Sequence, residues 1–178
     1  MMQVVFLRGV NVGGYKTFQP SVLAKQLKDC DVVNIGAAGT FVVRNPISQS
    51  NLRSELRRRL PFEAEIIICT GREIIAATAL NPFSGQPTAP DIVHFVGVLA
   101  KRPRGLPELP LNMPEDNWVL RLIAIQDRFA FGLYRRQMRA ISYLSQVEKR
   151  IGVPVTTRNW NTITAIIRVL KSDAADSE

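Results

Sequence analysis

The sequence predicts an α+β protein of two packed ferredoxin-like (β-α-β-β-α-β) halves plus a C-terminal helix. Three observations carry that expectation. Residues 1–70 read strand, helix, strand, strand, helix, strand, the order that two right-handed β-α-β crossovers around a central hairpin produce. A Gly/Pro-rich passage over 81–90 interrupts the chain near its middle, as domain boundaries do. Beyond it the same order returns in a less regular form. The expected division is a first half over 1–80, a linker over 81–90, a second half with its closing helix over 91–171, and a disordered tail over 172–178.

Each element has its own warrant. Residues 3–8 are rich in Val and Phe and read as a buried strand. A loop with Gly9, Gly13 and Gly14 follows, and Pro20 then suits the first turn of a helix with Val22, Leu23 and Leu27 on one face. Residues 32–35 and 41–44 are short strands separated by Gly36 and Gly39, a hairpin pattern. Ser48 is placed to cap a helix running to Leu60, with Leu52, Leu56 and Leu60 at four-residue spacing. Residues 63–70 form the next strand and 71–80 a short helix. In the second half, 91–100 is a strand, and 102–114 is Pro-rich where a helix would belong. Residues 118–125 and 129–135 form a second hairpin, 140–151 a helix, 153–155 a short last strand, and 159–170 the closing helix.

Composition narrows the function classes. With 178 residues, 46% hydrophobic and 21% charged, the chain is long enough to bury roughly 70% of its unfolded surface. Cys30 and Cys69 are too few for a disulfide scaffold. His94 is the only histidine and sits in an apolar strand, without the spacing of a zinc site or a hydrolase triad. Paired carboxylates such as Asp29 with Asp31 or Glu63 with Glu65 lack a calcium-loop or histidine context. No metal and no cofactor is expected. The start has no cationic leader and no apolar run approaches the ~20 residues of a membrane span, so a cytoplasmic protein is expected. The net charge of +8 divides evenly, with 10 basic and 6 acidic residues in 1–89 and 13 and 9 in 90–178. Dispersed charge of this kind is the usual state of a solvated face.

Two segments stand out as candidate ligand sites. Leu7-Arg8-Gly9-Val10-Asn11-Val12-Gly13-Gly14 places a glycine loop after the first strand. Such a loop lets backbone amides approach an anion, and Arg8 would add a bidentate partner. Its spacing is neither that of a dinucleotide fingerprint nor that of a P-loop. Thr156-Thr157-Arg158-Asn159-Trp160-Asn161-Thr162 opens the last helix. There Thr157 or Asn159 can cap, Arg158 can reinforce the positive end of the dipole, and Trp160 falls on the apolar stripe with Ile163, Ile166, Ile167 and Leu170. A third feature is the arginine clusters at 53–59, 101–104 and 135–139. They would serve nucleic acid only if they converged in space.

The opening 7–14 segment, the closing 157–162 segment and Asn81-Pro82-Phe83 together resemble the bacterial DUF1697 family of unknown function. The resemblance implies two ferredoxin-like halves and brings no established reaction. Two departures accompany it. Where the family usually shows Ser-Gly-Asn, this chain has Ala38-Gly39-Thr40, and the family's turn after the second hairpin is replaced by Arg135-Arg136-Gln137-Met138.

The leading expectation is a binding protein for a phosphorylated or otherwise anionic small ligand. Its contacts would be Arg8, Asn11, Gly13, Gly14, Arg158, Asn159, Asn161 and Thr162. Nonspecific nucleic-acid binding through the arginine surfaces, or an enzyme without a recognised catalytic set, are the alternatives. No catalytic residue or oligomeric state follows from the sequence.

Overall fold

Alternating apolar residues build two antiparallel sheets in the computed structural model, which describes residues 1–175. In chain order the elements are β1 (Gln3–Arg8), α1 (Pro20–Gln26), β2 (Val32–Asn34), β3 (Thr40–Val43), α2 (Gln49–Arg59), β4 (Glu65–Thr70) and α3 (Gly71–Thr78). Then follow β5 (Ile92–Leu99), β6 (Leu111–Met113), β7 (Leu120–Gln126), β8 (Phe129–Arg135), α4 (Ala140–Ile151), β9 (Val155–Asn159) and α5 (Trp160–Ala175). The chain groups into two compact units. One is Met1–Ala76 with the chain from Thr164 onward, and the other is Ala77–Ile163. The segment 81–90 is thus part of the second unit rather than a separate linker, and the closing helix is shared between the two groupings. Among the described residues no helix is long and apolar enough to cross a membrane.

In the first unit the strand order is β2-β3-β1-β4, with every neighbouring pair antiparallel. β1 is central, and Val4 to Leu7 are fully buried. Val5, Leu7, Phe41, Val43, Ile66 and Ile68 share one core cluster with Leu23 and Leu27 of the α1 region and Leu52 and Leu56 of α2. Burying an apolar side chain of this size contributes about 1.5–3 kcal/mol. Ser48 caps α2, its Oγ accepting from Asn51 N at 3.2 Å. Pro20 is the first residue of α1. Val22, expected on the buried face, is 43% exposed, because the seven-residue helix turns only Leu23 and Ala24 inward. Cys30 and Cys69 are both buried and unlinked.

In the second unit the order is β6-β7-β8-β5-β9, again antiparallel. β7, β8, β5 and β9 take the places that β2, β3, β1 and β4 take in the first sheet, with β6 added outside. Phe95, Leu99, Leu120, Leu122 and Ala130 pack with Val147 and Ile151 of α4. Gly132 permits the close approach of Phe95, since a Cβ there would lie 2.5 Å from the Phe95 ring and 2.7 Å from the Arg121 carbonyl.

Residues 102–114 hold only the edge strand β6, because Pro103, Pro107, Pro110 and Pro114 remove the amide donors a helix needs. Two sequence expectations are corrected here. The last strand is Val155–Asn159 rather than 153–155. Its Thr156 and Arg158 are buried at alternate positions, paired across β5 with Val98 and Val96. α5 continues through Ala175, four residues into the segment read as a tail. Alanine is the strongest helix former, and Ser172 Oγ closes on Val169 O at 2.9 Å. Residues 176–178 of that predicted tail lie outside the described residues.

Candidate functional site

The glycine segment of the first unit is held by its own residues. Gly13 and Gly14 have φ of 55° and 78° and are the central pair of a tight turn closed by Tyr15 N donating to Val12 O at 2.9 Å. Two consecutive positive φ values are what a twist-matched hairpin turn requires. Arg8 pairs with Glu65 at 2.7 Å, its direct cross-strand partner in the β1–β4 register. Both side chains are more than a third exposed, so this pair adds little stability by itself. Asn11 uses both ends of its amide: Nδ2 donates to Ala37 O at 2.9 Å, and Oδ1 accepts from Phe18 N at 2.9 Å. Asn11 therefore ties the loop to the β2–β3 connection.

The second motif divides between strand and helix. Arg158 lies on β9, only 8% exposed, with Nη1 donating to Thr156 Oγ1 at 3.1 Å and to Thr157 O at 2.9 Å. Burial pushes its guanidinium down to about 10, since desolvation disfavours the charged form. Asn159 ends the strand and caps α5. Its Oδ1 accepts from Thr162 N at 2.9 Å and from Thr162 Oγ1 at 2.9 Å. A backbone N–H can only donate, so the cap fixes which end of the amide is oxygen. The Nδ2 group is then left as a donor.

A cleft of about 230 Å³ opens at this junction. Asn159, Asn161, Arg136, His94 and Thr88 give it polar groups, and Trp160, Ile92 and Val93 give it apolar surface. Among the described residues no carboxylate lines it. Asp91, the nearest acid in sequence, has its carboxylate engaged by Arg135 Nη1 at 3.4 Å. Behind the cleft, Phe83 stacks on His94 with centroids 4.6 Å apart and meets Trp160 edge-on at 5.0 Å. Phe83 is 93% buried, given its 7% exposure. Two of the family-like marks, Asn81-Pro82-Phe83 and the segment 157–162, therefore meet in this unit.

Of the predicted contacts, Asn159 and Asn161 line the cleft, while Thr162 serves the cap and Arg158 the strand. Arg8, Asn11, Gly13 and Gly14 belong to the other unit. His94, Arg136 and Thr88 also line the cleft, and the sequence does not single them out: His94 reads as an ordinary strand histidine and Arg136 as one member of a charge cluster. The arginine clusters themselves are largely engaged. Arg58 and Arg59 both donate to Glu55, holding its carboxyl below the ordinary range. Arg53 donates to Ile66 O, and Arg102 pairs with Asp127.

A family model described as "Protein of unknown function (DUF1697)" matches residues 1–109. Among solved structures the chain is similar to a conserved bacterial protein from Streptococcus pneumoniae, with 16% sequence identity and a TM-score of 0.59. That match covers 95% of this chain and 98% of the other, and speaks for the fold. No curated protein matches.

Proposed function

The chain belongs to the DUF1697 family, and from that premise we propose that it binds a small anionic ligand, a phosphate ester or carboxylate, in the cleft at the start of α5. The observation that carries this reading is the one-sided chemistry of the lining. Arg136, Asn159, whose Nδ2 the cap leaves as a donor, and Asn161 line a space that no carboxylate of the described residues shares. Arg136 is exposed, and its backbone N–H rather than its side chain is spent on Asp91 O, at 2.7 Å. The first turn of a 16-residue helix adds the positive end of its dipole. The volume is below the ~300–1,000 Å³ of drug-sized pockets, which suits an anionic head with a short carbon chain.

A thermal-shift series with propyl phosphate tests this. The ligand should raise the melting temperature of the wild type and leave Arg136→Gln unmoved. Equal stabilisation of both proteins, or none in either, would refute the reading.

The fold reading behind the proposal is that both units are ferredoxin-like. The support is the strand order. Placing β4 and β3 on either side of β1, all antiparallel, is the outcome of two β-α-β crossovers about a hairpin. The second sheet repeats that order around β5, with β6 standing where the first crossover helix stands in the first unit.

A further inference from the structure

We infer that the cleft selects an anion carrying a neighbouring hydroxyl, such as a polyol phosphate or a hydroxy acid, and that His94 Nδ1 is the acceptor that reads the hydroxyl. The inference rests on the anion-site reading above and names its ligand class.

The tautomer of His94 is set by its surroundings. Its Nε2 lies 3.0 Å from Pro87 O. A carbonyl oxygen can only accept, so Nε2 carries the hydrogen and the neutral ring keeps Nδ1 as an acceptor. One ring face is covered by Phe83 at an interplanar angle of 11°, so the ring is held between its stacking partner and the Pro87 carbonyl. Nδ1 is then the ring's remaining polar atom, on a residue that lines the cleft.

This acceptor stands among donors. Arg136 can only donate, and the cap leaves Asn159 its Nδ2 hydrogens. A simple anion engages those donors and offers Nδ1 no hydrogen of its own. A hydroxyl one or two carbons from the anionic group supplies it. Sites built to hydrogen-bond a ligand hydroxyl discriminate against analogues that lack one, because a desolvated polar group is then left unpaired.

The ionisable groups around the imidazole are few. Asp91 and Arg135 pair with each other. Tyr134 stands opposite Val93 on β8, and the buried Arg158 stands opposite Val96 on β9. Arg136 is the cleft's own cation. The 81–90 segment and the first turn of α5 contain no ionisable side chain.

The test is calorimetric titration of the full chain with glycerol 3-phosphate and propyl phosphate, which share chain length and anionic group. At pH 7.5 the wild type should prefer glycerol 3-phosphate about tenfold, the equivalent of one hydrogen bond. His94→Phe, which keeps a ring against Phe83, should bind both alike. Equal binding of the two ligands by the wild type at pH 7.5 overturns the inference, as does a preference surviving in His94→Phe. The wild-type comparison of the two ligands stands without any substitution. Propyl phosphate that binds without a hydroxyl preference leaves the anion site standing and removes only the role of His94. Failure of both ligands to bind removes both.

Discussion

Asn159 is asked to do two things at once, and one substitution separates them. Its Oδ1 holds the start of α5 through two 2.9 Å bonds to Thr162, while its Nδ2 is the donor the proposed site uses. Asn159→Asp keeps an acceptor for the cap and replaces the donor with a charge. A carboxylate at a helix N-terminus adds about 0.3–1 kcal/mol through the dipole, so stability should hold or rise slightly. Affinity should fall steeply. A donor bond to a charged ligand is worth about 1.5–3 kcal/mol. A new negative charge about 4 Å from the ligand's anion costs about 1 kcal/mol in water and up to about 4 at an effective dielectric of 20. The combined loss corresponds to roughly a hundredfold or more in Kd. Asn159→Ala should instead lose about 1 kcal/mol of stability with the cap, together with the donor. Urea unfolding followed by circular dichroism and calorimetric titration with glycerol 3-phosphate read the two quantities separately. An Asp variant as unstable as the Ala variant would refute the cap assignment. An Asp variant that binds like wild type would refute the cleft assignment.

Other consequences follow from packing and burial. Phe83→Ala should cost about 3–5 kcal/mol in urea unfolding, because the ring meets His94, Phe131 and Trp160; Phe83→Leu should recover most of that loss. Gly132→Ala should lower the melting temperature, with about 1–3 kcal/mol of overpacking, since the added carbon meets both the Phe95 ring and the Arg121 carbonyl oxygen. Arg158→Met should leave the affinity for glycerol 3-phosphate unchanged by calorimetry, because Arg158 supports β9 and does not line the cleft. Its burial also has a pH signature. Above about 10 the folded chain sheds the Arg158 proton while the unfolded chain still holds it, so wild-type stability should rise with pH relative to Arg158→Met. Denaturant midpoints of the two proteins across pH 9 to 11 should show that gain, and a difference that falls with pH would contradict the burial.

Local rules carried most of the fold. Pro20 and Ser48 mark helix starts where helices start, and the second hairpin's turn falls at Asp127 and Arg128 between β7 and β8. The family, too, was legible in three short segments. The failures share a physical cause, which is that a polar run hides its periodicity. Thr156 and Arg158 alternate into a buried face, yet Thr-Thr-Arg-Asn carries no apolar alternation to announce a strand. The candidate site was legible only where chemistry and chain position coincide, at Asn159 and Asn161. His94 and Arg136 are placed in the cleft by β5 and by the chain just after β8, strands distant in sequence from the motif. Pairing between such distant strands is what the motif alone could not supply. Arg8 illustrates the same limit, because its partner Glu65 is set by register across 57 residues.

The repeated strand order gives a reason why the proposed anion site would form at one junction and not at its counterpart. β4 runs directly into α3 and β9 directly into α5, the same step in the same order. At both junctions the last strand residue caps the helix through the third helical residue. In the first unit the pair is Thr70 and Glu73. Thr70 Oγ1 accepts from Glu73 N at 3.2 Å, and Thr70 N donates to Glu73 Oε2 at 2.7 Å. That reciprocal box places a carboxylate on the helix start, so the positive end of the dipole is already answered and a second anion would be repelled. In the second unit the pair is Asn159 and Thr162, both neutral. The cap is made without a charge, so no side chain of the cap answers the dipole's positive end, and Nδ2 is left as a donor for the proposed ligand. What distinguishes the two caps is therefore two side chains in an otherwise shared step, Thr70 and Glu73 against Asn159 and Thr162.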